Sequence, residues 1–250
     1  MASGSSTSEF AASGAREFRT THWSVVLAAG DSASPHAAVA LEELCRTYSY
    51  PLYAFIRRQG HAPHDAEDLT QEFFARLLKR RFLQSVDPRK GKFRSFLLAW
   101  LKNFLANEWD RARTLKRGGQ YSFISWDQEV VENRYRAEPS HEVTPDRIFE
   151  RAWALTVLEK ALEELRNEYA AANKTELFDT LQECLSGEKG EASYADVMPK
   201  LRMSEGAVKM SVLRMRRRYG ELLRSEIAQT VTSTKELEEE MRQLFAVLSG

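Results

Sequence analysis

Between residues 37 and 248 apolar residues recur at steps of three and four, and no stretch alternates apolar with polar residues convincingly enough to predict a strand. That periodicity restricts the chain to an all-α fold. Residues 37–59 carry Val39, Leu41, Leu44, Tyr48, Leu52, Phe55 and Ile56 on one face, and Pro51 is expected to kink or divide the segment. After a short break from His61 to His64, residues 65–80 turn Leu69, Phe73, Leu77 and Leu78 inward. Asp65, Glu67 and Asp68 fall in the first turn, where the helix dipole favours carboxylates. A basic loop with Asp87-Pro88 and Gly91 as breakers leads to a long helix over 93–116. Leu97, Trp100, Leu101, Phe104, Leu105 and Trp109 can supply its buried face before Gly118-Gly119 stops it. Trp100 and Trp109 are nine positions apart and share no face, and core packing is the expectation for each.

Periodicity weakens over 120–143, which reads as an acidic linker. It resumes with Thr144 as N-cap and Pro145 at the first helical position. The helix over 145–171 that follows is expected to bury Ile148, Ala152, Leu155, Leu158, Leu162 and Leu165. A shorter helix spans 175–186, then two more helices, then a last one opened by a capping box of Ser233 and Glu236. Its apolar stripe is Leu237, Met241, Leu244, Phe245 and Leu248. The division this predicts is a disordered lead-in over 1–20, a helical domain over 21–118 and a linker over 119–144. A second helical domain covers 145–228, and an extension covers 229–250.

The formal charge is zero, from 36 basic and 36 acidic residues, which by itself argues against a nucleic-acid partner. The charge is sorted along the chain, however. Arg76–Arg117 holds 13 basic and 3 acidic residues, Lys200–Arg224 holds 8 and 2, and Asp127–Glu188 between them holds 7 and 15. Two basic modules flank an acidic middle. Cys45 and Cys184 each occupy an apolar helical position and read as buried thiols in a reducing compartment. No run reaches the roughly 18 apolar residues of a membrane span, and the Ser/Gly/Ala-rich start lacks the features of a signal peptide. A cytoplasmic protein without membrane contact is the expectation.

Residues 193–224 carry the more legible functional signal. Ser193 caps a short helix, a turn at Arg202-Met203 follows, and Ser204 caps a second helix that buries Val208, Val212, Met215 and Tyr219. Its other face presents Glu205, Lys209, Met210, Leu213, Arg214 and Arg217. A run of Arg216, Arg217 and Arg218 lies behind them. A helix entering the major groove needs its first residues free for base edges and cations further on for phosphates. This pattern is a helix-turn-helix, against the alternative of a solvated basic helix in an ordinary bundle.

The strings DAEDLTQEFFARLL (65–78) and FRSFLLAWLKNFLANEWDRARTLKR (93–117) resemble region two of bacterial sigma factors. SYADVMPKLRMSEGAVKMSVLRMRRR resembles their region four. Together, in that order, they resemble the extracytoplasmic-function class, which keeps only these two regions. THWSVVLAAG (21–30) and EIAQTV (226–231) are similar to one branch of it.

The resemblance implies a subunit that binds core RNA polymerase through the clamp and flap of its two large subunits and directs it to promoter DNA. Asp65, Asp68, Gln71 and Glu72 would dock on the clamp. The loop over 83–92 and the helix after it would open the −10 element through Lys90, Lys92, Arg94, Lys102, Asn103, Asn107, Arg111 and Arg113. Ser204, Glu205, Lys209, Met210, Arg214, Arg217 and Arg218 would read the −35 element. The acidic linker would thread the polymerase cleft, and an anti-sigma factor or other regulator is a possible further partner.

Two departures from the family stand out. Pro199 falls inside the first helix of the helix-turn-helix and is expected to shorten or kink it. Arg202 stands where relatives commonly have glycine, at a cost of roughly 1 kcal/mol if the backbone there is left-handed. The competing reading is a free-standing helix-turn-helix regulator with an unrelated sensor domain. An enzyme has little support. The five histidines and two cysteines show no metal-binding spacing, so neither a metal nor any other cofactor is implied, and His61 and His64 flank Pro63 in a break.

Overall fold

The computed structural model describes residues 37–79, 92–112, 127–138, 143–185, 192–228, 231 and 233–249. In chain order the helices are α1 (Ala37–Arg58), α2 (Pro63–Lys79), α3 (Phe93–Ala112), α4 (Gln128–Arg136), α5 (Pro145–Ala171), α6 (Thr175–Leu181), α7 (Ala192–Leu201), α8 (Glu205–Ala228) and α9 (Thr234–Ser249). A 3-10 turn, Gln182–Cys184, extends α6. No strand occurs among the described residues, so the protein is all-α, as the apolar spacing predicts. The lead-in, the 21–30 phrase and the 83–91 part of the basic loop lie outside them.

α5 is the central element. It packs against α1 on one side and against α6, α8 and α9 elsewhere. Ile148 and Ala152 meet Tyr50 and Ala54 of α1 in one apolar cluster. Phe149, Trp153, Val157, Ala161 and Leu165 join a larger cluster that takes in Leu52, Phe55, Phe73 and Leu101 at one end and Val208, Val212 and Leu244 at the other. Helices buried on several sides show no single apolar stripe. That is why Leu155, Leu158 and Leu162, expected inside, are only half-buried while Phe149 and Trp153 take the deepest places. The two helical segments separated by the acidic stretch therefore share one continuous core.

The caps follow the sequence. The Thr144 side chain accepts from the Arg147 amide at 3.3 Å, with Pro145 behind it, and Ser233 Oγ accepts from the Glu236 amide at 3.3 Å. Neither proline divides its helix. α1 runs through Pro51, where one backbone bond is forfeited while Tyr48, Tyr50, Leu52 and Tyr53 are all buried around it. α7 likewise continues through the exposed Pro199 to Leu201. Val39, expected on the inner face, is 59% exposed near the first turn of α1. Both cysteines are free; Cys184 is buried and Cys45 half-buried, where burial pushes its thiol up to about 11.

Arg202 does adopt the left-handed conformation, with φ of 52°, and the Met203 amide reaches back to the Met198 carbonyl at 3.1 Å. This is the Schellman closure that glycine normally provides, and Asn173 (φ 56°) closes α5 the same way through Lys174 and Tyr169 at 2.8 Å. Arg202→Gly is expected to raise unfolding stability by up to about 1 kcal/mol, read as a shifted midpoint in urea with unchanged slope.

The stretch expected to be a linker contains α4. Asp127 caps it, its side chain accepting from the Val130 amide at 3.3 Å, and Glu132 fastens it to α1. The Glu132 carboxylate accepts from Arg57 Nε at 3.0 Å, Arg57 Nη2 at 2.8 Å and the Tyr53 hydroxyl at 2.6 Å. Tyr50 donates to Glu138 at 2.9 Å, and Arg57 stacks on the Tyr135 ring at 4.9 Å. These polar anchors gave no helical periodicity to read.

Hydrogen bonding from Arg57, aided by Tyr53, holds the Glu132 carboxyl below the usual carboxylate range against the opposing effect of burial. A folded-state value below the unfolded one stabilises the fold above about pH 4.3, and that contribution is lost as pH falls through the lowered value. Glu132→Gln is therefore expected to flatten the acid limb of the stability profile, measured by urea unfolding between about pH 3 and 6.

Candidate nucleic-acid interface

Three surfaces carry the residues singled out by the sequence. The first is the outer face of α2. Ala66, Thr70, Phe73, Phe74 and Leu77 are buried, and Thr70 returns its hydroxyl to the Ala66 carbonyl at 2.7 Å. Asp65 and Asp68 point away from that core and are exposed, and Asp68 meets the exposed His64 at 3.5 Å. Gln71 and Glu72 are half-buried. Gln71 donates to Glu67 at 3.3 Å, while Glu72 accepts from Arg76 at 2.8 Å. Arg76 also holds Glu108 of α3 at 2.6 Å and lies over the Phe104 ring at 4.9 Å. The four residues are thus two pairs: an exposed acidic edge, and a half-buried pair tied into local side-chain bonds.

The second surface is α3. Phe93, Leu97, Leu98, Leu101 and Phe104 are buried, and Phe73 of α2 packs on Trp100 at 4.4 Å and on Phe104 at 5.6 Å. Lys102, Asn103, Ala106 and Asn107 are exposed. Trp109 is 65% exposed, contrary to the expected core packing, whereas Trp100 is half-buried as expected. Nine residues at 100° each put the two rings on opposite sides of the helix, so one core cannot take both. Lys102 is paired with Asp146 in the first turn of α5 at 2.5 Å. The Arg111 side chain, Lys90 and Arg113 lie outside the described residues.

Arg94 is the exception on this surface. It is 2% exposed and its guanidinium is fully engaged. Nε and Nη2 donate to the two Glu240 oxygens at 2.9 and 3.0 Å, Nη1 pairs with Glu150 of α5, and the plane lies 4.6 Å from the Trp153 ring. Lys92 pairs with the same Glu240 and donates to Gln243 at 3.2 Å. In this conformation Arg94 is closed off from solvent, and Lys92, half-buried, is engaged by Glu240 and Gln243. Spacing held the clue: Arg94, Leu97, Leu98 and Leu101 fall on one face at steps of three and four. Glu240 likewise sits between Leu237 and Leu244 on the inner face of α9.

The third surface is α8. Val208, Val212 and Met215 are buried, and half-buried Tyr219 donates to the Leu158 carbonyl at 3.2 Å, as the spacing predicts. Ser204 Oγ accepts from the Ala207 amide at 3.4 Å. Glu205 and Lys209 pair with each other at 2.7 Å, and Met210 (49%), Leu213 (59%) and Arg214 are exposed beside them. Leu213 makes the open face more apolar than a phosphate track requires, which suits contact with base edges.

The arginine run divides by role. Arg217 is exposed and pairs along its own helix with Glu221 at 3.0 Å. Arg218 grips Glu168 of α5 at 2.8 and 2.5 Å, and Arg216 donates to the Cys184 carbonyl at 3.1 and 2.6 Å. Two of the three arginines thus fix α8 to the body of the protein.

No group of metal-binding side chains occurs among the described residues, and none of their helices is long and apolar enough to cross a membrane. No curated protein and no solved structure matches the chain. Residues 44–114 match the family model Sigma-70 region 2, a span that takes in most of α1, all of α2 and α3, and the first two surfaces described above. The segment that carries the exposed acidic edge of α2 and the open polar face of α3 is thus similar to region two of the sigma-70 family.

Proposed function

We propose that the chain is a sigma factor of the extracytoplasmic-function class, with α7 and α8 as its region-four helix-turn-helix. In this reading α2 docks on the polymerase clamp through Asp65 and Asp68. The exposed face of α3 engages the opened −10 element through Lys102, Asn103 and Asn107. α8 enters the −35 major groove with Lys209, Met210, Leu213 and Arg214 leading. Trp109 offers an exposed ring on which an unstacked base can rest. Nucleotide addition belongs to the core enzyme, and this chain supplies specificity alone.

The observation that carries the reading is the region-two match over residues that hold the exposed acidic edge of α2 and the exposed amides of α3. Its test is co-purification with bacterial core RNA polymerase, followed by run-off transcription on a genomic promoter library. Core binding with new, sequence-restricted start sites is expected. Tight binding to duplex operator by the chain alone, with no affinity for core, would make it a free-standing regulator instead.

Within that assay Arg214→Ala is expected to flatten discrimination among −35 variants by about 1–3 kcal/mol at the contacted position, if its guanidinium reads a base. A uniform loss across all variants with a reduced salt slope would assign it to phosphate.

A further inference from the structure

We propose that α9 is an intramolecular latch, in which the Glu240 carboxylate occupies the cationic site formed by Lys92 and Arg94 and must leave before that site can take a nucleic-acid phosphate. The inference rests on the functional reading above for the identity of the competing anion, though not for the contact itself.

The geometry is that of a bound anion. Both oxygens of Glu240 face two nitrogens of Arg94 at 2.9 and 3.0 Å, the bidentate fork that arginine also offers to phosphate, and Lys92 adds a third cationic contact. Glu240 is 1% exposed. Burial alone would raise its carboxyl, and the hydrogen bonds and charges of Arg94 and Lys92 outweigh that, leaving it below the usual range. The carboxylate is therefore charged in place, as a phosphate mimic has to be.

Position adds a second line of argument. α9 packs on α5 and α8, with Leu244 buried and Arg224 paired to Glu238 at 2.5 Å, while its Glu240 and Gln243 reach across to the start of α3. One helix thus bridges the helix-turn-helix end of the chain and the start of the region-two basic helix. A permanent packing contact would be at least as stable with apolar residues, because desolvating a buried ion cluster offsets most of its attraction. An ion cluster differs in being exchangeable. Lys92 and the two Arg94 nitrogens that Glu240 holds can accept another anion while Arg94 Nη1 stays with Glu150, and the released carboxylate returns to water. The −35 face of α8 stays open while the latch is closed, since Met210, Leu213 and Arg214 are exposed. The occlusion therefore falls on one of the two DNA surfaces.

The test uses the full-length chain, the isosteric Glu240→Gln variant and a fluorescent A/T-rich single-stranded oligonucleotide. A site available only in the open fraction binds with an affinity reduced by that fraction. Removing the competing charge is expected to tighten oligonucleotide binding roughly tenfold or more, while duplex −35 binding changes less than about twofold. Hydrogen exchange supplies a readout that does not depend on the variant. Because coupling is reciprocal, saturating the wild-type chain with the oligonucleotide is expected to lower amide protection in α9.

Unchanged oligonucleotide affinity in a folded Glu240→Gln variant overturns the latch, as does unchanged α9 protection in the oligonucleotide-saturated wild-type chain. Failure of the sigma-factor reading registers elsewhere, as absent core-polymerase binding in wild type and variant alike, whatever α9 does.

Discussion

Reversing Asp65 and Asp68 to lysine will reduce core-polymerase affinity by at least about 100-fold while leaving the helical content and melting temperature of the free chain nearly unchanged. Both carboxylates are exposed on α2, and neither takes part in the ion pairs that tie α2 to α3. Like charges set against a partner surface cost several kcal/mol in binding, whereas an exposed charge contributes little to folding. Glu72 is the less suitable target. It braces Arg76, which in turn holds Glu108 and covers the Phe104 ring, so its reversal would disturb the α2–α3 seam as well as the outer face of α2. Surface binding to immobilised core enzyme, with circular dichroism as the control, measures both quantities. Retained affinity in the double variant would overturn the proposal that α2 docks on the polymerase.

Trp153→Ala will destabilise the chain by about 3–5 kcal/mol. Trp153 is 1% exposed and lies in the cluster where residues of α1, α3 and α5 meet, and its ring also carries the Arg94 guanidinium at 4.6 Å. Truncation leaves a cavity among large neighbours that cannot collapse, and removes one wall from a buried ion cluster. Trp153→Phe keeps most of the volume and should cost markedly less. Urea unfolding of the two variants against wild type gives the comparison. A loss below about 1 kcal/mol for alanine would mean that the site is hydrated or loosely packed.

How much of this was legible beforehand depends on what kind of interaction sets each element. Helices held by apolar stripes and ordinary caps could be read directly: Thr144 and Pro145 open α5, Ser204 opens α8, and Val208, Val212 and Met215 face inward as spaced. Elements held by polar contacts distant in sequence could not. α4 docks through Glu132 and Glu138 on tyrosines and an arginine some 75 to 88 positions away, and no local pattern announces such partners. The resemblance to region two implies a DNA contact for Arg94, whereas its spacing with Leu97, Leu98 and Leu101 puts it on the buried face of α3. Its partner Glu240 is 146 residues away. For the prolines, steric rules describe an isolated helix, and burial around Pro51 overrides them.

The continuity of the core through α1 and α5 has a consequence for how the chain melts. Tyr50, Ala54, Ile148 and Ala152 close a seam that neither half can complete alone, and Phe149 and Trp153 extend it into the wider cluster. Two domains on a loose tether would denature as two events, each with its own midpoint. Halves that share a core lend each other stability, so heating or denaturant should take the free chain apart in a single cooperative step, with a calorimetric enthalpy equal to the van't Hoff value. Any partner that draws the halves apart has to cover that apolar seam with a surface of its own.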